Sequence, residues 1–128
     1  MKKLSIPEWI LRIGIFGTFI GHGILAIGVK QAWIQYLTVV GFSPETAAIL
    51  LPIIGIMDVI VAFICLLAPI RIVLIWATFW AFATALIRPI AGDSILDFVE
   101  RSANWAAPLA LLSIQKFPRK IKDLWKVR

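Results

Sequence analysis

The hydrophobic pattern of the chain consists of four long apolar segments that are separated by short polar stretches. The segments cover about 9–29, 46–68, 71–88 and 95–114. A helix needs about 20 mostly apolar residues to cross the hydrocarbon core of a bilayer, and each segment is close to that length. We therefore predict an all-α fold, an integral membrane four-helix bundle that forms a single transmembrane domain over 1–128.

Local signals add short helices and helix ends to this pattern. The motif SIPE at 5–8 predicts a capping box at the start of the first helix, and SPE at 43–45 caps the second. Between them, Trp33 and Tyr36 are spaced as on a helix, which predicts a short interfacial helix with both rings at headgroup level. Arg88-Pro89 predicts the end of the third helix, because the residue before proline disfavours helical geometry.

Composition and charge support the membrane assignment and orient the chain. Hydrophobic residues make up 61% of the sequence, whereas soluble domains have about half. The formal net charge is +6, and six of the thirteen Lys and Arg residues lie in 116–128. We predict that this tail forms an amphipathic basic helix from Pro118 that binds anionic lipid headgroups, in preference to nucleic acid, because it follows an apolar span.

The same charges predict the orientation. Four spans place both termini on one side, together with Lys2, Lys3, Arg71 and the basic tail. Because Lys and Arg are enriched in cytoplasmic segments, we predict a multi-pass protein with both termini in the cytoplasm.

Polar residues within the apolar segments form the candidate site. A charge in hydrocarbon costs about 3 kcal/mol, so such residues are expected to face inward and to pair, Glu100 with Arg88, Arg101 or both. The predicted orientation places most of them at one depth in the outer half of the membrane, with Asp58 near the midplane. The alternative for each is a structural role as a snorkelling side chain, a cap or a link between helices. The candidates for a polar pocket or a proton relay are His22, Asp58, Arg88, Glu100, Arg101 and Asn104.

Aromatic and small residues suggest what these helices contact. Trp76 and Trp80 lie one turn apart and, with Trp105, are candidates for stacking on a flat ring such as a quinone; ordinary packing is the alternative. Gly17 and Gly21 form a small-xxx-small pair that allows another helix backbone to approach. The single histidine and the single cysteine, Cys65, predict no metal site, no disulfide within the chain and no covalently bound cofactor.

Several short motifs resemble those of DoxX-like membrane proteins. They are RIG at 12–14 followed by FIGHG at 19–23, GFSP at 41–44, ALIRP at 85–89, and ER at 100–101 with NW at 104–105 and PLALL at 108–112. The resemblance implies a four-helix bundle in the bacterial cytoplasmic membrane. Some members are subunits of thiosulfate:quinone oxidoreductase, and others join membrane redox complexes with soluble partners. At the matched positions it implies roles for His22, Arg88, Glu100, Arg101 and Asn104, whereas Asp58 stands where a glutamate is expected in many relatives.

Two hypotheses of different classes follow for the function. In the first, the chain is the membrane subunit of a quinone-linked redox complex, with a polar pocket in the outer half of the bundle and quinone as its non-covalent cofactor. In the second, it is a non-catalytic accessory or assembly subunit of a larger membrane complex, or a module that binds a small molecule or a lipid. Both predict other membrane or redox proteins, or further copies of the chain, as partners.

Overall fold

The computed structural model describes residues 3–127, and all regular secondary structure in this range is helical. Lys2 and Arg128, which belong to the predicted basic ends, lie outside the described residues. Turns of 3-10 helix occur at Gln31–Trp33 and Ile121–Trp125. In chain order the α-helices are α1 (Ile6–Ile27), α2 (Ile34–Thr38), α3 (Pro44–Leu67), α4 (Arg71–Ile90), α5 (Ile95–Val99) and α6 (Ser102–Gln115).

Three of the described helices, α1, α3 and α4, are long and apolar enough to cross a membrane. Only 28% to 33% of the most apolar part of each is buried within the chain. Most of their apolar surface therefore faces outward, where contact with water would be unfavourable and contact with lipid would not. This arrangement fits a membrane protein.

The predicted capping motifs are confirmed. The Ser5 hydroxyl accepts a hydrogen bond from the backbone N–H of Glu8 (3.3 Å), and the Glu8 carboxylate accepts one from the N–H of Ser5 (2.7 Å). At the start of α3, the Ser43 hydroxyl accepts from the N–H of Thr46 (3.2 Å). These bonds satisfy N–H groups that have no partner within the helix.

The third helix ends at Ile90, one residue past its predicted end at Arg88-Pro89. Pro89 lacks the N–H that would donate to the carbonyl group four residues earlier. The following N–H groups restore the turn: that of Ala91 donates to Ile87 (2.9 Å) and that of Asp93 to Arg88 (3.0 Å). The helix can therefore pass the proline this close to its end.

The fourth apolar segment does not form one continuous helix. It breaks at Glu100 and Arg101 into α5 and α6. At the break, side chains donate hydrogen bonds to backbone carbonyl groups: Arg101 Nη1 donates to the oxygen of Asp97 (2.8 Å), and the Ser102 hydroxyl donates to the oxygen of Val99 (2.7 Å). These bonds compete with the backbone hydrogen bonds of a continuous helix. The 14 residues of α6 extend about 21 Å, less than a hydrocarbon core of about 30 Å.

The basic tail also differs from the prediction. Instead of an amphipathic α-helix from Pro118, only a 3-10 turn forms at Ile121–Trp125. The Asp123 carboxylate accepts hydrogen bonds from the backbone N–H groups of Arg119 (3.2 Å) and Lys120 (3.1 Å). The Lys120 backbone is extended (φ −133°, ψ 157°), so helical geometry begins only at Ile121.

The helices pack as α1 against α3, α4 against α6, and α1 against α6, whereas α3 and α4 make few contacts despite the short turn that joins them. A close approach of α1 and α3 pairs Gly23 with Gly55: a Cβ atom at Gly55 would lie 2.6 Å from the Gly23 oxygen. No such crossing occurs at Gly17 and Gly21, where an added Cβ would meet nothing within 4 Å. The predicted small-residue contact is therefore displaced along α1.

Candidate functional site

A cavity of about 250 Å³ lies among α1, α3, α4 and α6, at the end of these helices that α2 covers. The limited contact between α3 and α4 leaves this space open. Its walls are mostly apolar, but each long helix contributes one ionisable side chain: His22 from α1, Asp58 from α3 and Arg88 from α4. A mostly apolar pocket with a few convergent polar groups is the usual form of a small-molecule site.

The His22 ring is held in place on two sides. Its Nδ1 lies 2.8 Å from the Thr18 carbonyl oxygen, which can only accept, so Nδ1 carries the proton of this hydrogen bond. In the neutral ring, Nε2 is then an acceptor. The Trp33 ring stacks on the imidazole at a centroid distance of 5.5 Å and an interplanar angle of 19°. This fixed tautomer makes His22 a directed acceptor in the cavity wall.

Asp58 lies deeper in the same cavity and is only 4% exposed. Its carboxyl group interacts with the indole N–H of Trp80, while Oδ1 has no hydrogen-bond partner among the described residues. The contacts of Arg12 with Leu66 and of Gly23 with Gly55 set the register of α1 against α3. In this register Asp58 faces position 20, so it is offset from His22 by about 3 Å along the helix axis.

Arg88 is 8% exposed and closes the cavity towards α2. Its Nη1 donates to the Tyr36 hydroxyl (3.1 Å), and that hydroxyl donates to the Asp93 carboxylate (2.7 Å). The guanidinium also lies over the Tyr36 ring, 5.0 Å from the centroid. Burial, with the hydrogen bond to Asp93, raises the pKa of the Tyr36 phenol. The phenol therefore stays protonated and links Arg88 to Asp93.

Tyr36 and Asp93 were not among the predicted site residues. Tyr36 was predicted at headgroup level, and it lies 57 positions from Asp93 in the sequence. No spacing rule joins residues that far apart. Their assignment required the position of α2 over the ends of α3 and α4.

Of the nine predicted site residues, five line the cavity. Arg88 forms no ion pair with Glu100; of the two pairings proposed for Glu100, the one with Arg101 is found, at 2.8 Å. The Glu100 side chain is 64% exposed, because the break between α5 and α6 places it at the surface. The five residues that line the cavity are His22, Asp58, Trp80, Arg88 and Asn104.

The predicted aromatic residues have separate positions. Trp80 lines the cavity and stacks on Trp76 at 5.4 Å and 15°. One face of the Trp80 ring is therefore covered by Trp76, which does not line the cavity. Trp105 packs edge-on against Phe82 at 5.8 Å, and its buried indole N–H has no partner among residues 3–127. Only Trp80 of the three is thus placed to contact a molecule in the cavity.

The charges around the cavity are arranged asymmetrically. At the end covered by α2, Arg88 is the arginine that lines the cavity. At the deeper end, Asp58 is the acidic residue that lines the cavity. A neutral ligand with acceptor oxygens at one end and a donor group at the other would match this arrangement. Within the described residues, no group of three or more His, Cys, Asp or Glu side chains is arranged to hold a metal ion.

A second polar cluster lies at the opposite end of the bundle, where α6 ends and α4 begins. Arg71 is 6% exposed, and its guanidinium donates to the main-chain oxygens of Gln115 (2.6 Å) and Asp123 (3.2 Å). The N–H of Arg71 donates to the oxygen of Lys126 (3.1 Å). With its amide nitrogen facing the carbonyl groups, Gln115 donates to Val127 (2.8 Å). The tail is thereby folded back over the start of α4.

This fold-back encloses a groove of about 660 Å³, called here the basic groove. It was not predicted from the sequence, which indicated an amphipathic basic helix. Its charged lining consists of one acidic residue, Asp123, and four basic residues, Arg71, Lys116, Arg119 and Lys126.

Comparison with known proteins identifies no relative: no family model, curated protein or solved structure matches this chain. The resemblance to DoxX-like proteins therefore stays a prediction from the residues.

Proposed function

We propose that this chain is a multi-pass membrane protein that binds a quinone-type ring in the cavity, as the membrane subunit of a redox complex. The observation that carries the proposal is the convergence of His22, Asp58 and Arg88, one from each long helix, on one mostly apolar cavity. A cavity of about 150 Å³ holds benzene, so 250 Å³ has room for one substituted ring.

The proposed roles follow from the donors and acceptors of these side chains. Arg88 and the N–H groups of Asn104 are donors for a quinone oxygen, whereas His22 Nε2 and the unpartnered Asp58 Oδ1 are acceptors for a quinol hydroxyl. The exposed face of Trp80 provides an aromatic surface for the ring. Reduction of a quinone to a quinol takes two electrons, which come from a partner protein or directly from a substrate, and two protons, which His22 and Asp58 relay to the quinone oxygens. The chain therefore contributes binding and the proton relay.

The helix α2 covers the end of the cavity. Trp33 lies against His22, Tyr36 is bonded to Arg88, and both rings line the cavity. We expect the ring to enter beneath this short helix and its polar head to lie closest to Arg88. In the predicted orientation this end faces the outer side of the bacterial cytoplasmic membrane.

A quenching titration tests the ring site. The full chain in detergent is titrated with a short-chain quinone while tryptophan fluorescence is recorded, since Trp33 and Trp80 line the cavity. Asp58→Leu is expected to weaken binding about tenfold by removing a buried polar partner. Asp58→Asn keeps an acceptor oxygen and is expected to retain most of the affinity.

The matched control is Glu100→Gln, which changes a predicted site residue that lies outside the cavity. If the wild type and a folded Asp58→Leu variant bound the quinone with equal affinity, the ring site would be contradicted. Circular dichroism shows whether each variant is folded. Purification from native membranes then separates the two functional classes. A stoichiometric redox partner or bound quinone supports the redox subunit, whereas recovery without quinone in a complex whose chemistry belongs to other chains supports the accessory role.

A further inference from the structure

The basic groove has a net positive lining that the protein itself does not neutralise. Four basic residues and one acidic residue line it, which leaves a formal charge of +3. Of the basic side chains, only Lys126 lies within ion-pair distance of Asp123, at 3.8 Å. The Asp123 carboxylate also accepts from the backbone N–H groups of Arg119 and Lys120. Lys116 and Arg119 therefore have no carboxylate partner among residues 3–127.

The base of the groove is rigid and also favours an anion. The side chain of Arg71 is buried and held by two main-chain oxygens, so its charge has a fixed position. Arg71 is also the first residue of α4, a helix of 20 residues. The positive end of the helix dipole thus points towards the groove and adds to the charge of the side chains.

The rim of the groove is built by an unusual backbone conformation. Lys116 follows α6 and has a φ angle of +76°, in the left-handed region that favours glycine. This turn directs the tail back over α4 and places the lysine in the wall of the groove.

Apolar side chains beside the groove indicate where its ligand comes from. Phe117, which lines the groove, is 56% exposed, and Ile121 and Trp125 in the same tail are 82% and 64% exposed. Basic side chains next to exposed apolar ones are typical of a segment at the surface of an anionic membrane. A site that bound a free anion from water would gain nothing from exposed apolar side chains beside it.

From these observations we infer that the basic groove binds the phosphate group of an anionic phospholipid, with Lys116 and Arg119 as its contacts at the rim and Arg71 at its base. The apolar side chains of the tail lie against the acyl chains of the same lipid layer. The tail is therefore a headgroup-binding structure with a defined shape, and its charge acts at particular positions.

A comparison of two double variants tests this inference. The full chain, stripped of lipid in a neutral detergent, is incubated with phosphatidylglycerol or with phosphatidylcholine of the same acyl chains, and bound lipid is counted by native mass spectrometry. Lys116→Gln/Arg119→Gln removes two charges that line the groove, and Lys120→Gln/Lys122→Gln removes two from the same tail outside its lining. Both pairs leave the hydrogen bonds of Arg71 intact.

We expect one phosphatidylglycerol per chain, a clear preference over phosphatidylcholine, and a loss of at least about tenfold in the groove variant only. Equal losses in the two variants would show that attraction depends on net charge alone, and would overturn the inference. An absence of preference for the anionic lipid would overturn it as well. Displacement of the lipid by millimolar inorganic phosphate would keep the phosphate site but assign it to a soluble ligand. None of these outcomes depends on the ring site in the cavity.

Discussion

The contact between Gly23 and Gly55 makes a quantitative prediction about the packing of α1 on α3. An alanine Cβ at Gly55 would lie 2.6 Å from the Gly23 oxygen and 2.7 Å from the Ile27 nitrogen. Both are backbone atoms, so neither can move without a shift of α1. Forcing extra carbon atoms into packed structure costs about 1–3 kcal/mol, and two backbone contacts this short place Gly55→Ala in the upper part of that range.

An opposing effect must be subtracted. Alanine is favoured over glycine within a helix by about 1 kcal/mol. The net loss for Gly55→Ala is then about 1–2 kcal/mol, which lowers the ratio of folded to unfolded protein by about 5- to 30-fold. For Gly21→Ala the steric term is absent, since an added Cβ meets nothing within 4 Å. That variant is expected to be as stable as the wild type or slightly more stable.

Reversible unfolding in mixed micelles, with increasing SDS and circular dichroism as the readout, measures both variants. The prediction requires Gly55→Ala to unfold at a lower SDS fraction than the wild type, and Gly21→Ala to unfold at the same or a higher SDS fraction than the wild type. If Gly21→Ala proved the less stable of the two, the helix crossing would lie elsewhere along α1. The cavity would then have different walls, because His22 and Asp58 are placed by this crossing.

Three further predictions concern polar contacts. Tyr36→Phe removes the hydroxyl between Arg88 and Asp93. Because leaving a buried donor unpaired costs about 1–3 kcal/mol, backbone hydrogen exchange in residues 30–41 should become faster. Unchanged exchange would mean that this hydrogen bond does not hold α2 in place. Glu100→Gln breaks an ion pair whose carboxylate is mostly exposed and should shift the SDS midpoint hardly at all; a large shift would indicate a buried pair. Hydrogen bonds from backbone N–H groups, first that of Arg119, lower the pKa of Asp123. The Asp123 carboxylate therefore stabilises the docked tail above the usual carboxyl pKa, and this stabilisation is lost as the pH falls through the lowered pKa. Protease cleavage of the tail should increase in acid, whereas cleavage of the Asp123→Asn variant should be independent of pH.

Much of the local structure was predictable from the sequence. The limits of α1 and α3 follow from capping motifs and apolar length, because a cap and the residues it bonds lie within one turn of each other. The polar positions His22, Asp58 and Arg88 were predictable as well, since charge within an apolar helix is costly wherever the helix lies. Which residues would meet across helices was less certain: Glu100 was expected to pair with Arg88 or Arg101, and it pairs only with Arg101.

The tertiary structure decided the contacts between distant parts of the chain. Arg88 bonds to Tyr36 of α2, which bonds in turn to Asp93 in the turn after α4. The close glycine contact lies at Gly23 and not at Gly17, and the tail folds onto Arg71. A helical period tells which face of a helix is polar or small, but not which residue of another helix that face meets. That choice depends on the register and separation of the helices, and these are set by the packing of the whole chain at once.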